Sequence, residues 1–214
     1  MGSSVEADQI GAQRQRVVPL LAMKALTTFY RRMILMVRSL DAPLPAFSSQ
    51  LPVTFERLSE KDVSAYQKFR PEHGLTWLQR CLARGDSCFA AYHEGHIVHA
   101  VQVATQHVYV PYLSRGLILQ PGDVYSYDSF TAPAYRRYGL AAARAVYVMR
   151  HYQCEGYQRM VCLIALENAA GRHVMQKLGY HALGLYSYLH LHPWQWYWQQ
   201  AWNMEPLLRL SGPD

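Results

Sequence analysis

The stretch YSYDSFTAPAYRRYGLAAARAVYVMRHY, residues 125–152, constrains the fold more than any other part of the chain. An alternating, β-rich run ends at Pro133, which lacks the backbone N–H that a continuing strand needs. Arg136, Arg137 and Gly139 then open a long, alanine-rich helix. A strand that passes directly into such a helix predicts a domain in which strands and helices alternate.

Composition narrows the class of protein further. The chain has 214 residues, of which 50% are hydrophobic and 17% charged, and this predicts one substantial globular domain with appendages. The formal net charge of +6 favours anionic partners in general. A phosphate-bearing cofactor satisfies that charge as well as nucleic acid or lipid would, and we expect no nucleic-acid partner.

The cysteines and the hydropathy pattern suggest a compartment. No C-x-x-C pair is present, which argues against a zinc cage or a disulfide framework and favours the reducing cytosol. No run approaches the roughly 18 apolar residues of a membrane span, and the start shows no secretion signal. We therefore expect a cytoplasmic protein without a metal. The four cysteines are Cys81, Cys88, Cys154 and Cys162.

Three parts are predicted along the chain. Residues 1–50 are predicted to hold a basic amphipathic helix, from about 13 to 40, and most of a proline-rich linker at 41–52. Residues 51–193 are predicted to form the order β-α-α-β-β-β-α-β-α-β, a mixed α/β sheet with helices on its faces. Residues 194–214 form a tryptophan-rich tail, which we expect to fill a core or an interface.

A hairpin is predicted between 87 and 110, with its turn at 93–95, and a loop follows at 111–123. His93, His96 and His99 recur at every third residue in this hairpin. Because His96 and His99 would face opposite sides of one strand, a solvated turn explains the spacing better than a metal site does.

The junction at 136–141 has the chemistry of an anion site. The first N–H groups of a helix have no partner within the helix, and the helix dipole adds positive character at that end. Gly139 lets a bulky anion approach the backbone, and Arg136 and Arg137 add fixed charges. The alternative interpretation is a basic surface turn before an ordinary core helix.

Arg136 to Ala141, RRYGLA, resembles the signature of the GCN5-related N-acetyltransferases (GNAT family). That signature is Arg or Gln, two residues, Gly, one residue, then Gly or Ala, at a helix start that follows a strand. A second landmark of the family is an Asn after the next strand, opening a helix that ends in Gly-aromatic. Asn168, Gly179 and Tyr180 match it, and the resemblance covers about 53–192.

The resemblance implies a GNAT fold that uses acetyl-CoA, or another acyl-CoA, as co-substrate. The backbone amides from Arg137 to Ala142 would hold the diphosphate, with Arg136 beside them. The sheet would split between the strand at 123–131 and the next strand, and the acyl thioester would lie in that split. The residues implied in cofactor binding are Phe130, Thr131, Arg136, Arg137, Tyr138, Gly139, Leu140, Ala141, Ala142 and Asn168.

The groups that move protons are less evident. Many GNAT enzymes use a tyrosine seven residues beyond the Asn as the acid, but here that position is Met175, which cannot donate a proton. Tyr138, Tyr180, Tyr186 or water are the remaining donors. For the base, strand alternation puts Asp123, Tyr125 and Tyr127 on one face and Ser126 and Asp128 on the other. The candidate catalytic residues are therefore Asp128, Asp123, Tyr138 and Glu167.

Two hypotheses about function stay open at this point. The first is an N-acetyltransferase that moves an acetyl group to an amine of a small molecule or a peptide. The second, suggested by Met175, is a non-catalytic CoA-binding module that acts as a sensor or supports a partner. The basic N-terminal helix could cover its own domain, pair with a second subunit in a homodimer, or lie on an anionic membrane.

Overall fold

A computed structural model describes residues 29–74, 76–202 and 207–212. An eight-stranded sheet, in the order β10-β9-β1-β8-β7-β4-β3-β2, forms the centre, and a small sheet, β11-β6-β5, lies beside it. The strands are β1 Tyr30–Ser39, β2 Thr54–Arg57, β3 Ser87–His93, β4 His96–Ala104, β5 Val108–Val110, β6 Arg115–Ile118, β7 Asp123–Thr131, β8 Arg159–Ala165, β9 His181–Leu191, β10 Trp194–Ala201 and β11 Arg209–Leu210. The described α-helices are α1 Val63–Phe69, α2 Thr76–Ala83, α3 Leu140–Cys154 and α4 Ala169–Lys177.

The predicted mixed sheet with helices on both faces is confirmed. Neighbouring side chains of β3 show the two layers: Phe89 packs in the core under α3, whereas Ala90 packs in the core under α1 and α2. The predicted hairpin around 93–95 is also present, but β4 ends at Ala104. Val108–Val110 is instead β5, which pairs with β6 inside the predicted loop at 111–123.

The predicted helix at 13–40 is wrong for residues 30–39, which form strand β1; residues 13–28 lie outside the described residues. β1 pairs with β8 on one edge and with β9 on the other. Its alternate side chains enter two different cores, Ile34 and Met36 one and Leu35 and Val37 the other, so both of its faces are covered. A strand covered on both faces carries a near-continuous apolar run, and over a short stretch such a run also fits helical spacing. Arg38 ends this run, and its guanidinium donates to the carbonyls of Leu178 and Pro43 at 2.8 and 2.6 Å.

The tryptophan-rich segment forms β10, which pairs with β9 as a hairpin at the edge of the sheet. Trp194, Trp196 and Trp198 alternate along one side of this strand, and they are 64%, 44% and 42% exposed. The expectation that these rings fill a core is wrong for the described part of the chain. No helix within 29–74, 76–202 or 207–212 is long and apolar enough to cross a membrane.

The sheet splits beside β7. β7 and β8 are parallel neighbours, but their pairs run only from Asp123–Arg159 to Tyr125–Val161. On its other side β7 stays paired with β4 as far as Thr131. The register between β4 and β7 shifts between Ala100 and Gln102, so two residues of β7 oppose one of β4. Such a bulge bends a strand, and here it accompanies the divergence of β7 from β8.

We expect Leu35→Ala to lower the free energy of unfolding by about 2–5 kcal/mol, because the substitution removes a fully buried side chain from the strand that joins two halves of the sheet. Urea unfolding followed by circular dichroism measures the change. Ile118→Ala, at a 40% exposed position, is the matched control and should cost less than about 1 kcal/mol. Equal losses in both variants would contradict a central position of β1.

Candidate active site

A pocket of about 950 Å³ opens on the α1–α2 side of the sheet, where β7 and β8 diverge. Its floor comes from the strands, with Tyr125 and Tyr127 of β7 and Leu163 of β8. The walls come from α2 and from the β5–β6 segment. The lining residues are Arg31, Met33, His73, Trp77, Arg84, His107, Tyr109, Val110, Pro111, Tyr112, Tyr125, Tyr127, Asp128 and Leu163.

The bulge in β7 changes which side chains face this pocket. Simple alternation predicted Asp128 on the face opposite Tyr127, and this prediction is wrong. Asp128 has φ +46°, in the left-handed region, and the extra residue at the bulge brings Tyr127 and Asp128 to the same pocket. Asp128 is the one carboxylate among the described lining residues.

Two basic groups from the α1–α2 connection lie beside Asp128. Arg70 Nη2 lies 3.3 Å from Oδ1, and His73 Nε2 lies 3.7 Å from Oδ2. Oδ2 has no hydrogen-bond partner among the described residues. Burial raises the pKa of Asp128 above its ordinary value, although Arg70 and His73 act in the opposite direction. The carboxylate therefore holds a proton more tightly than an exposed aspartate does.

The protonation of His73 follows from its partners. Arg70 Nη2 lies 2.6 Å from His73 Nε2 and can only donate, so Nε2 is the accepting nitrogen. The ring proton is then on Nδ1, which lies 3.2 Å from the Tyr66 hydroxyl. Burial lowers the pKa of His73, which agrees with a neutral ring. Gln102 donates to the same Tyr66 hydroxyl at 3.1 Å and completes a polar chain from β4 to Asp128.

At the other end of the split, helix α3 begins with unpaired donors. The first helical hydrogen bond runs from Ala143 N–H to the Gly139 carbonyl, at 3.0 Å. The N–H groups of residues 137–142 have no acceptor among the described residues. Gly139 has φ +77°, and a Cβ there would meet the Ser48 carbonyl at 3.3 Å. Arg136 and Arg137 are exposed beside these donors.

Comparison with known families decides the assignment. The sequence model described as "Acetyltransferase (GNAT) family" matches residues 51–180, more than half of the chain. The chain belongs to the GNAT acetyltransferase family. The resemblance carried by 136–141 and Asn168 is thereby confirmed at the level of the family. No curated protein matches the sequence.

Solved structures show the same fold at low sequence identity. A Drosophila protein is 18% identical, with TM-score 0.53 over 77% of this chain and 52% of its own. A GNAT-family protein of Novosphingobium aromaticivorans is 19% identical, with TM-score 0.52 over 74% of this chain and 62% of its own. A fungal multi-domain protein with a glucosamine N-acetyltransferase region is 12% identical, with TM-score 0.55 over 82% of this chain and 22% of its own. The chain thus spans about half to three fifths of the length of the first two.

Three other predicted catalytic residues of this GNAT domain lie outside the pocket. Asp123 is buried at the start of β7, where Arg159 donates to both of its oxygens at 2.8 and 3.0 Å. This arrangement favours a structural role for Asp123 over that of a base. Tyr138 is 39% exposed on the loop before α3. Glu167 is exposed beyond the end of β8. The pKa of Tyr112 is raised mainly by burial of the hydroxyl and, to a smaller extent, by the negative charge of Glu167.

The remaining tyrosines predicted as proton donors are both buried. The Tyr186 hydroxyl donates to the Leu208 carbonyl at 2.6 Å, which occupies its proton. Tyr180 packs in the core beneath α3 and α4. Met175, at the position of the usual GNAT tyrosine, packs against the same core.

The predicted cofactor residues outside the helix start lie along the split. Phe130 and Thr131 pair with Ala100 and His99 of β4, and β8 pairs with neither of them. Asn168 caps α4, its Oδ1 accepting from Gly171 N–H at 2.9 Å. The structure brings this strand end to the start of α3 through the short Pro133–Tyr135 turn, and Arg136 Nε donates to the Thr131 carbonyl at 3.3 Å.

The sequence patterns did not predict a buried arginine on the face of the sheet opposite the pocket. Arg144 of α3 is 1% exposed, and it donates to His99 Nε2 and Ser129 Oγ, both at 3.0 Å. His99 is therefore neutral, and its Nδ1–H donates to Thr131 Oγ1 at 2.7 Å. Burial lowers the pKa of Arg144 to about 10. These bonds fix the end of β7 from the face opposite the pocket.

Sequence patterns also missed Arg70 and His73. They lie in RPEH, between α1 and α2, 58 and 55 residues before Asp128. Their contact depends on the packing of α1 and α2 on the sheet, which no local pattern encodes. The three histidines at 93–99 form no metal site, and no group of three or more His, Cys, Asp or Glu side chains in the described residues could hold a metal ion.

Asp128→Asn and Asp123→Asn should change stability in opposite directions. The raised pKa of Asp128 means that the folded state favours its neutral form, so stability falls as pH rises through the pKa range. A neutral Asn, which tolerates a positive φ, should therefore stabilise the protein at pH 7. Asp123→Asn weakens the contacts to Arg159 and should cost ~1.5–3 kcal/mol. Urea unfolding at pH 7 measures the free energy of unfolding of both variants. A destabilised Asp128→Asn variant would contradict the raised pKa of Asp128.

Proposed function

We propose that the protein transfers an acetyl group from acetyl-CoA to an amine of a small molecule or a peptide. One observation carries the proposal: the edge of β7 that β8 leaves free contains Asp128 and leads, through the Pro133–Tyr135 turn, to the N–H groups at 137–142, which have no acceptor among the described residues. A cofactor that binds to these N–H groups can extend along that edge to Asp128. Membership of the GNAT acetyltransferase family supports the same reaction.

The residues at the helix start fit the diphosphate of coenzyme A. Six consecutive N–H groups lack acceptors among the described residues, and the dipole of a 15-residue helix points at them. Arg136 and Arg137 add charge that does not titrate near neutral pH. The edge of 130–131 that does not pair with β8 and the Asn168 side-chain amide would hold the pantetheine arm, and bound acetyl-CoA would supply the activated acetyl group.

Asp128 is the base in this proposal. An amine enters the pocket mostly as an ammonium ion and must lose a proton before it can attack a carbonyl carbon. Oδ2 has no described hydrogen-bond partner, and burial raises the pKa of the carboxyl, so it accepts a proton more readily than an ordinary aspartate. Arg70 holds the other oxygen, Oδ1, by donating to it at 3.3 Å, and the same guanidinium nitrogen lies 2.6 Å from Nε2 of the neutral His73.

The departing thiolate needs a proton. Met175 stands where the family usually has a tyrosine, and it has no acidic hydrogen. The hydroxyl proton of Tyr186 is already donated to the Leu208 carbonyl. We propose that the proton removed from the amine, or a proton from water, reaches the sulfur. A chain that binds acetyl-CoA and releases no thiol with any amine would instead be the non-catalytic module.

Arg137→Glu combined with Gly139→Glu should lower the affinity for acetyl-CoA at least ~100-fold, because two carboxylates then stand against the diphosphate. Isothermal titration calorimetry measures the affinity, and circular dichroism confirms that the variant folds. Arg150→Glu, at an exposed position further along α3, is the matched charge control and should bind as wild type does. Unchanged affinity in the double variant would contradict the assignment of the helix start.

Asp128→Asn should lower kcat/KM by ~10²–10⁴, the usual contribution of a general base. In the wild type, activity should fall with decreasing pH as Asp128 becomes protonated, and its raised pKa places this loss at a higher pH than for an ordinary aspartate. Thiol release across a pH series, with Asp41→Asn as an exposed control, measures both effects. If the variant keeps the wild-type rate and pH profile, Asp128 is not the base.

A further inference from the structure

The pocket has an excess of basic groups. Arg31, Arg84, His73 and His107 all line it, against the single carboxylate of Asp128. Arg84 is already paired, with its Nη2 2.8 Å from Asp86 Oδ2. Arg31 forms no ion pair with any residue in the described part of the chain.

Arg31 is nevertheless held in a defined position. Its Nη1 donates to the Tyr112 carbonyl at 3.2 Å. Its guanidinium carbon lies 5.4 Å from the centre of the Tyr112 ring and 6.0 Å from that of Tyr188. Because a guanidinium has five N–H donors, this leaves several for a ligand. A positioned arginine that forms no ion pair in the described part of the chain, at the wall of an aromatic pocket, suits a carboxylate or a phosphate.

We propose that the acceptor is an amine that also carries a carboxylate or phosphate group, which Arg31 binds while the amine lies at Asp128. The role of the amine end rests on the function proposed above, whereas the anion site at Arg31 stands on its own contacts.

The spacing of the strands sets the kind of acceptor. Arg31 is on β1 and Asp128 is on β7, with β8 between them. At roughly 4.8 Å per strand spacing, the two backbones are about 10 Å apart, or more where β7 and β8 diverge. This separation of the two strands favours an acceptor in which a ring or a chain of several atoms lies between the amine and the anion.

The body of that acceptor meets aromatic surfaces. Tyr125 and Tyr127 stack on each other, with ring centres 5.6 Å apart and planes at 9°, and both line the pocket. Trp77 and Tyr109 face the same space from the walls. A volume of about 950 Å³ accommodates a sugar or an aromatic ring between the two charged groups.

The kinetic test uses matched pairs of amines. O-phosphotyramine is compared with tyramine, and 4-(2-aminoethyl)benzoate with its methyl ester, so that each pair differs in the anion. We expect kcat/KM at least ~10-fold higher for the anionic member of one or both pairs. Arg31→Gln should bring this ratio to about 1, and Arg31→Lys should restore part of it. Arg32→Gln, at the next residue on the opposite face of β1, should keep the wild-type ratio.

A binding test separates the inference from the proposed function. Phenyl phosphate and 4-hydroxyphenylacetate are titrated calorimetrically into the CoA-loaded protein, beside neutral 4-hydroxyphenylacetamide. Anions that bind through Arg31 without acetyl transfer to any amine would support the anion site and overturn the proposed transferase. Transfer that favours neutral amines, or a preference that Arg31→Gln leaves unchanged, would overturn the anion site and leave the transferase in place.

Discussion

One extra residue in β7 is the constraint on which the site depends. Opposite Val101, β7 carries two residues where β4 carries one, and pairing with β8 ends after Tyr125. One edge of β7 is therefore free beyond Tyr125, and the bulge brings Asp128 into the pocket beside Tyr127. In a regular strand, Asp128 would face away from Tyr127 and from the pocket.

Buried charged side chains contact the bulged part of β7 from both faces of the sheet. On the pocket side, Arg70 contacts Asp128 in a site where burial disfavours the charged form of the carboxyl. On the other side, Arg144 binds the neutral groups of His99 and Ser129, and no described carboxylate pairs with it. Such sites cost stability, because charges lose hydration on burial. The apolar core around β1, β4 and β8, covered by α3 and α4, offsets that cost.

Short sequence motifs predicted the starts of α3 and α4, but no motif predicted contacts between residues that are far apart in the sequence. Pro133, Gly139 and Asn168 act within a few residues of their own positions, so the turn and both helix starts could be inferred from sequence. β1 was mistaken for a helix because a strand covered on both faces has no period of two. The bulge at Asp128 has no composition signal, and the contacts of Arg31 and Arg70 join residues 58 or more positions apart.

A crystal structure of the protein with bound acetyl-CoA would show whether the start of α3 holds the diphosphate. We expect diphosphate oxygens within ~3 Å of several N–H groups at 137–142. We also expect the pantetheine arm along the free edge of β7, and the acetyl group in the pocket on the side of Asp128. A cofactor bound elsewhere, or a thioester on the side of Arg144 and away from Asp128, would contradict these expectations.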